Sequence, residues 1–129
     1  GFWINPRFWD KQDFFLKASL WFSKYLWWAL AQQLLIQGYL TNRLFAAFGE
    51  KLWLTAVISG VLFGLMHLPN PVLTPACLVF GIGSAYFFLK SRNLYLLAAS
   101  HAILGTAVKY MIAYDLLHRP MRVGPGFWN

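Results

Sequence analysis

Three glutamines, two histidines and an asparagine stand inside otherwise apolar stretches of this 129-residue chain. Gln32, Gln33 and Gln37 fall in "ALAQQLLIQGYL", His67 closes "FGLMH", Asn70 follows in "LPNP", and His101 opens "HAILG". Amides and imidazoles are costly in an apolar helix unless hydrogen-bonded, because hydrocarbon offers them no partner. Their chemistry is therefore the first question. An amide donates and accepts hydrogen bonds but cannot act as a general base, whereas an imidazole exchanges a proton near neutral pH. A site built from this set would hold a hydrogen-bonding ligand and leave any proton transfer to His67 or His101.

The spacing brings these residues together. Gln33 and Gln37 are four apart, hence on one helix face, with Gln32 adjacent in angle. Ser59, Phe63 and His67 form a four-residue ladder, and Gly105 comes one turn after His101. His101 lies about seven residues into its apolar run, or about 10 Å deep at the helical rise. His67 and the glutamines reach compatible depth. A cavity lined by Gln32, Gln33, Gln37, His67, Asn70 and His101, opening toward "HLPNP", is the expectation. Each residue also has a structural alternative. Buried glutamines serve as interhelical glue worth about 0.6 to 2 kcal/mol, and a histidine on an apolar face is often a satisfied core residue. No metal or other cofactor is expected. Catalytic zinc takes three protein ligands, and no Cys, Asp or Glu accompanies the two histidines at depth. Cys77 is the only cysteine, so no internal disulfide or thiol cluster can form, and its apolar setting "TPACLVFG" suits packing. His118 lies in a polar tail and reads as solvated, while Lys109 can snorkel.

The elements that must position these side chains are apolar helices. Hydrophobic residues make up 59% of the chain and charged residues only 12%, against about 25% in an ordinary globular protein. That is too little polar surface to cover a water-soluble sphere, which makes a soluble all-helical core the lesser alternative. Four apolar runs, at 25–48, 51–68, 72–89 and 94–114, each approach the roughly 17 to 25 residues that cross a bilayer. Gly49, the prolines of "HLPNP" and the turn "KSRN" separate them, and sustained period-two alternation is absent. The expected fold is all-α: a polytopic, multi-pass integral membrane bundle of about four transmembrane helices in antiparallel succession. Residues 1–24 read as an N-terminal interfacial segment with Lys17 and Lys24 on one face, 25–115 as the bundle core, and 116–129 as a polar and aromatic tail. Trp3, Phe8–Trp9 and Phe127–Trp128 suit a membrane-interface belt. Gly60 and Gly64, with Gly81, Gly83 and Ser84, mark close helix approach. The formal charge of +7 does not indicate nucleic acid, because the basic residues punctuate the ends of apolar runs instead of forming a stripe. Membrane lipid is the expected partner. The start on Gly1 suggests a segment of a longer protein, with further helices upstream.

The order "QQLLIQ" (32–37), "FGLMH" (63–67) and "HAILG" (101–105) resembles the CPBP family of intramembrane proteases, which includes CAAX-processing and bacteriocin-processing enzymes. The family pattern is Glu-Glu-x-x-x-Arg on one helix, Phe-x-x-x-His on the next and His-x-x-x-Asn on a later one. The resemblance covers roughly residues 25 to 115 and extends to "GYLTNRL" and "SHAILGT". It implies endoproteolysis in or beside the membrane, a glutamate that activates water, and histidines that stabilise an oxyanion. The implied catalytic positions are Gln32, Gln33, Gln37, Phe63, His67, His101 and Gly105, with Asn70 near the substrate. Phe63, His67 and His101 match outright; Gln32 and Gln33 replace the acids, Gln37 the arginine and Gly105 the asparagine. Without carboxylates a buried guanidinium would be an unpaired charge, so the three glutamines form one matched, neutral change. The resemblance thus admits a peptidase that uses a histidine as base. The alternative is a silent pseudoprotease that binds a peptide or lipidated protein tail.

Overall fold

A computed structural model describes residues 11–109 and Gly124, and every element in it is helical. Helix α1 (Lys11–Gln33) passes through a π-helical segment (Leu34–Thr41) into α2 (Asn42–Ala47). Helices α3 (Leu52–Leu65), α4 (Leu73–Ser91) and α5 (Leu94–Ala107) follow. The interfacial segment leads into the first apolar run without interruption, as one helix. No glycine or proline interrupts the chain from Lys11 to Gln37, so α1 runs straight through. Trp3, Phe8–Trp9, His118 and Phe127–Trp128 lie outside the described residues.

Chain punctuation explains the ends. Gly49 and Glu50 both take left-handed backbone (φ 64° and 62°) and turn the chain into α3. Arg92 closes α4 at φ 57° while its guanidinium bonds the Asn42 side-chain oxygen. Asn93 caps α5 by accepting from Leu96 N at 3.0 Å. Helix α3 ends at Leu65, earlier than its apolar run, because the backbone turns before Pro69. Asn70 then organises the entry to α4: its Oδ1 accepts from Val72 N at 3.0 Å and Leu73 N at 2.9 Å. Pro75 sits in the first turn of α4, where its missing N–H leaves no bond unmade. Asn70→Ala is expected to lower stability by about 1 to 2 kcal/mol, read as earlier thermal unfolding in detergent, because a buried and a half-buried amide lose their acceptor.

Small residues set the packing. Gly60 of α3 meets Ile82 of α4, Gly64 meets Leu78, and Gly81 meets Gly60 and Phe63, so the two helices lie antiparallel in backbone contact. Gly83, grouped with these from sequence, faces open space, and no atom lies within 4 Å of a Cβ added there. On the other side α1 packs on α5, where Gly105 adjoins the Tyr25 ring. Among the described residues one helix, Leu73–Ser91, is long and apolar enough to cross a membrane, with mean hydropathy 1.4. Helices α3 and α5 are apolar but shorter. The surface is itself apolar: Trp27, Trp53, Val79, Tyr95 and Ile103 all point outward.

Candidate functional site

A cavity of about 830 Å³ opens where three helical stripes converge. Helix α1 supplies Trp21, Tyr25, Trp28 and Gln32 at successive turns of one face. Helix α4 supplies Leu73, Ala76, Cys77 and Phe80, and α5 supplies His101, Leu104, Gly105 and Val108. His67 enters from the turn after α3. The wall is mostly apolar, and among the described residues no Asp or Glu stands in it.

His101 is the hub. Its Nδ1 lies 3.1 Å from Gln33 Nε2, and its Nε2 lies 3.4 Å from the Tyr25 hydroxyl. Phe63 and Tyr25 each meet the imidazole edge-on, at centroid distances of 5.6 and 5.8 Å, and Phe80 tilts against it at 5.3 Å. Three rings and an amide therefore fix its orientation. The Gln33 amide donates to Nδ1, which puts the proton of a neutral ring on Nε2, facing the Tyr25 oxygen. His67 has the opposite tautomer. Its Nδ1 donates to the Phe63 carbonyl at 2.7 Å, leaving the Nε2 lone pair available. Phe63 is fully buried and its ring touches both histidines, so it acts as their spacer.

The six expected lining residues divide into two groups. Gln32, His67 and His101 line the cavity, and Gln33 stands behind His101, completely buried. Gln37 and Asn70 do not line it. Gln37 lies one turn beyond Gln33 in the π-helical segment and, like Gln33, is fully buried away from the cavity wall. Its Nε2 donates to Ser84 Oγ at 3.0 Å, and its Oε1 accepts from Thr41 Oγ1 at 2.9 Å. Thr41 lies 3.0 Å from Ser59 Oγ, and Ser84 donates to the Gly81 carbonyl at 3.2 Å. That closed network joins the π-helical segment to α3 and α4, the structural alternative weighed for glutamine. Asn70 is occupied by the α4 entry.

Four buried polar atoms find no hydrogen-bond partner among the described residues: Gln32 Oε1, Gln33 Oε1, Trp21 Nε1 and Thr74 Oγ1. Gln32 and Trp21 are residues of the cavity wall, so one acceptor and one donor, both shielded in the present side-chain positions, lie unpartnered beside it. Sequence reasoning missed Tyr25, Trp21 and Phe80. A signal for the first two was present, since Trp21, Tyr25, Trp28 and Gln32 recur at offsets of four, three and four, one face of a helix. Among the described residues no group of three His, Cys, Asp or Glu side chains could hold a metal ion.

Comparison with curated proteins gives no match, and comparison with solved structures gives none. A protein-family model, type II CAAX prenyl endopeptidase Rce1-like, matches residues 14–107, most of the chain. That match takes in α3, α4 and α5, all but the first three residues of α1, and all seven motif positions from Gln32 to Gly105. The chain belongs to the Rce1-like type II CAAX prenyl endopeptidase family.

Proposed function

We propose that this protein is a multi-pass membrane member of its family that captures a prenylated peptide tail in the cavity and holds it without carboxylate-driven hydrolysis. The observation that carries this reading is the cavity itself, mostly apolar with Lys24, Gln32, His67 and His101 among its polar groups and with the Gln32 Oε1 unpartnered. A buried acceptor left unmade costs about 1 to 3 kcal/mol, which a ligand N–H would recover once the Gln32 side chain turns toward the cavity. The apolar volume suits the hydrocarbon of a prenyl group, and the polar edge suits the peptide beside it. The family's name supplies the substrate class, and the glutamines at 32 and 33 remove the family's general base.

The multi-pass arrangement is supported by continuity and surface. Residues 25–47 are helical throughout, near the roughly 20 residues that cross hydrocarbon, and the π-helical segment only divides that run. Helices α3 and α5 carry outward-facing Trp53, Leu65, Tyr95 and Ile103, a surface suited to lipid. A second reading has one specific support. His67 Nε2 keeps its lone pair free beside the cavity, so slow peptide hydrolysis with His67 as base is the family reaction still open to this chain.

Fluorescence titration of a farnesylated CAAX tetrapeptide into the protein in nanodiscs tests both readings. Saturable binding, weakened at least about tenfold by Cys77→Trp, which fills the wall, is expected, a loss of about 1.4 kcal/mol. Equal capture by wild type and Cys77→Trp would sink the cavity reading. Mass spectrometry of the same samples separates holding from cutting.

A further inference from the structure

The space beside Gly105, where the resembled pattern has an asparagine, is filled by a side chain from another helix. A Cβ added to Gly105 would lie 2.8 Å from Tyr25 Cζ and 2.9 Å from its hydroxyl oxygen, so the phenol head occupies the start of the side-chain path at 105. Gly105 is one turn beyond His101 on the same face, and the Tyr25 hydroxyl lies 3.4 Å from His101 Nε2. The phenol is held in place: Trp21 stacks on it at 5.5 Å with 14° between the planes, and Lys109 Nζ lies 3.1 Å from the Trp21 ring centre. Tyr25 and Gly105 are thus one spatial unit, and neither can be changed to a larger residue without moving the other.

We propose that Tyr25 is the positioning residue of this site, holding His101 through its Nε2 and presenting a hydroxyl proton to the carbonyl of the bound ligand. The hydrogen-bond inventory supports this. Gln33 occupies Nδ1, so the His101 Nε2–H donates to the Tyr25 oxygen, and the phenolic O–H is left to point into the cavity. There it complements Gln32 Oε1, a donor and an acceptor on one wall. Tyr25 and Gln32 are seven residues apart, about 10 Å along the helix axis, so they reach different peptide groups of an extended segment. The carbonyl part of the proposal rests on the peptide reading above; the His101 part does not.

The test uses the whole chain in nanodiscs with ¹⁵N-labelled histidine and the farnesylated tetrapeptide as probe. In the ligand-free protein, Tyr25→Phe is expected to move the His101 Nε2 resonance and leave the His67 resonances in place. An unmoved His101 signal overturns the positioning role. Gly105→Asn alone is expected to displace the phenol and disturb His101, whereas Tyr25→Ala combined with Gly105→Asn restores a hydrogen-bonded His101, because asparagine then has the vacated space. Failure of the double variant to recover, with its fold intact by circular dichroism, also overturns the proposal. Where wild type binds the peptide, Tyr25→Phe should weaken it about fivefold, the scale of one neutral hydrogen bond. Unchanged affinity overturns the carbonyl contact. A wild type that does not bind the peptide refutes the peptide reading and its carbonyl contact together, while the ligand-free spectra still decide the positioning role.

Discussion

Hydrolysis of a farnesylated CAAX peptide is expected to rise at least about 100-fold when Gln32→Glu, Gln33→Glu and Gln37→Arg are introduced together, the lower end of what a positioned general base contributes. The cavity retains the remaining parts of the motif: Phe63 separates two histidines, and the Gln33 side chain already lies 3.1 Å from His101. A carboxylate at 33 accepts only, so it would draw the imidazole proton to Nδ1 and free Nε2 as an acceptor, reversing the tautomer. A carboxylate at 32 would stand in the wall, where a water could be activated. The arginine must come with the acids. At position 37 a guanidinium alone would replace an amide bonded to Ser84 and Thr41 in a fully buried pocket, and an unpaired charge there costs about 3 to 5 kcal/mol. Gln37→Arg alone should therefore unfold early, and the triple variant should recover much of that loss. Peptide cleavage by mass spectrometry, beside thermal unfolding of each variant, checks both statements. A folded triple variant without turnover would show that the cavity is not a silenced peptidase site. Equal turnover by wild type would favour the His67 route.

The sequence disclosed most of the scaffold because its information is local. Proline, glycine and asparagine at 49, 69–71, 75 and 93 end or start helices by backbone geometry alone, and apolar runs between them have no stable alternative to helix. The meeting of His67 with His101 was legible for the same reason, since helical rise fixes depth. The facing of Gln37 was not. Its partners, Ser84 on α4 and Thr41 one turn on, are set by how α4 packs against the π-helical segment, which spacing along one helix does not disclose. Asn70 was placed correctly in the chain, but its backbone bonds, visible only in three dimensions, commit it to the α4 entry. Tyr25 escaped because an aromatic near a helix's outer half reads as an interface anchor. Its role emerges only with Gly105, eighty residues later, packed against its ring.

The largest structural effect is expected at Gly60, and Gly83 provides the internal comparison. In Gly60→Ala the new methyl carbon would fall 2.5 Å from the Ile82 backbone nitrogen and 2.8 Å from its Cα. Backbone cannot swing aside as a flexible side chain does, so α3 and α4 must separate along their contact. Overpacking of this kind costs about 1 to 3 kcal/mol and more where backbone must move, and Gly60→Val should exceed that range. In Gly83→Ala nothing is met within 4 Å, and removing a helical glycine gains about 0.5 to 1 kcal/mol. The two substitutions add the same atom to the same α3–α4 pair and should move stability in opposite directions, read as unfolding midpoints in one detergent. The consequence reaches the site. Phe63 sits one turn after Gly60, and a Cβ at Gly81 would meet it at 3.1 Å, so parting the helices removes the spacer between His67 and His101. Gly60→Ala should therefore also weaken peptide capture and disturb the His101 resonance, whereas Gly83→Ala should leave both unchanged. Equal stability of the two variants would mean that α3 and α4 do not meet backbone to backbone, and the cavity between α1, α4 and α5 would then lose the wall that α3 braces.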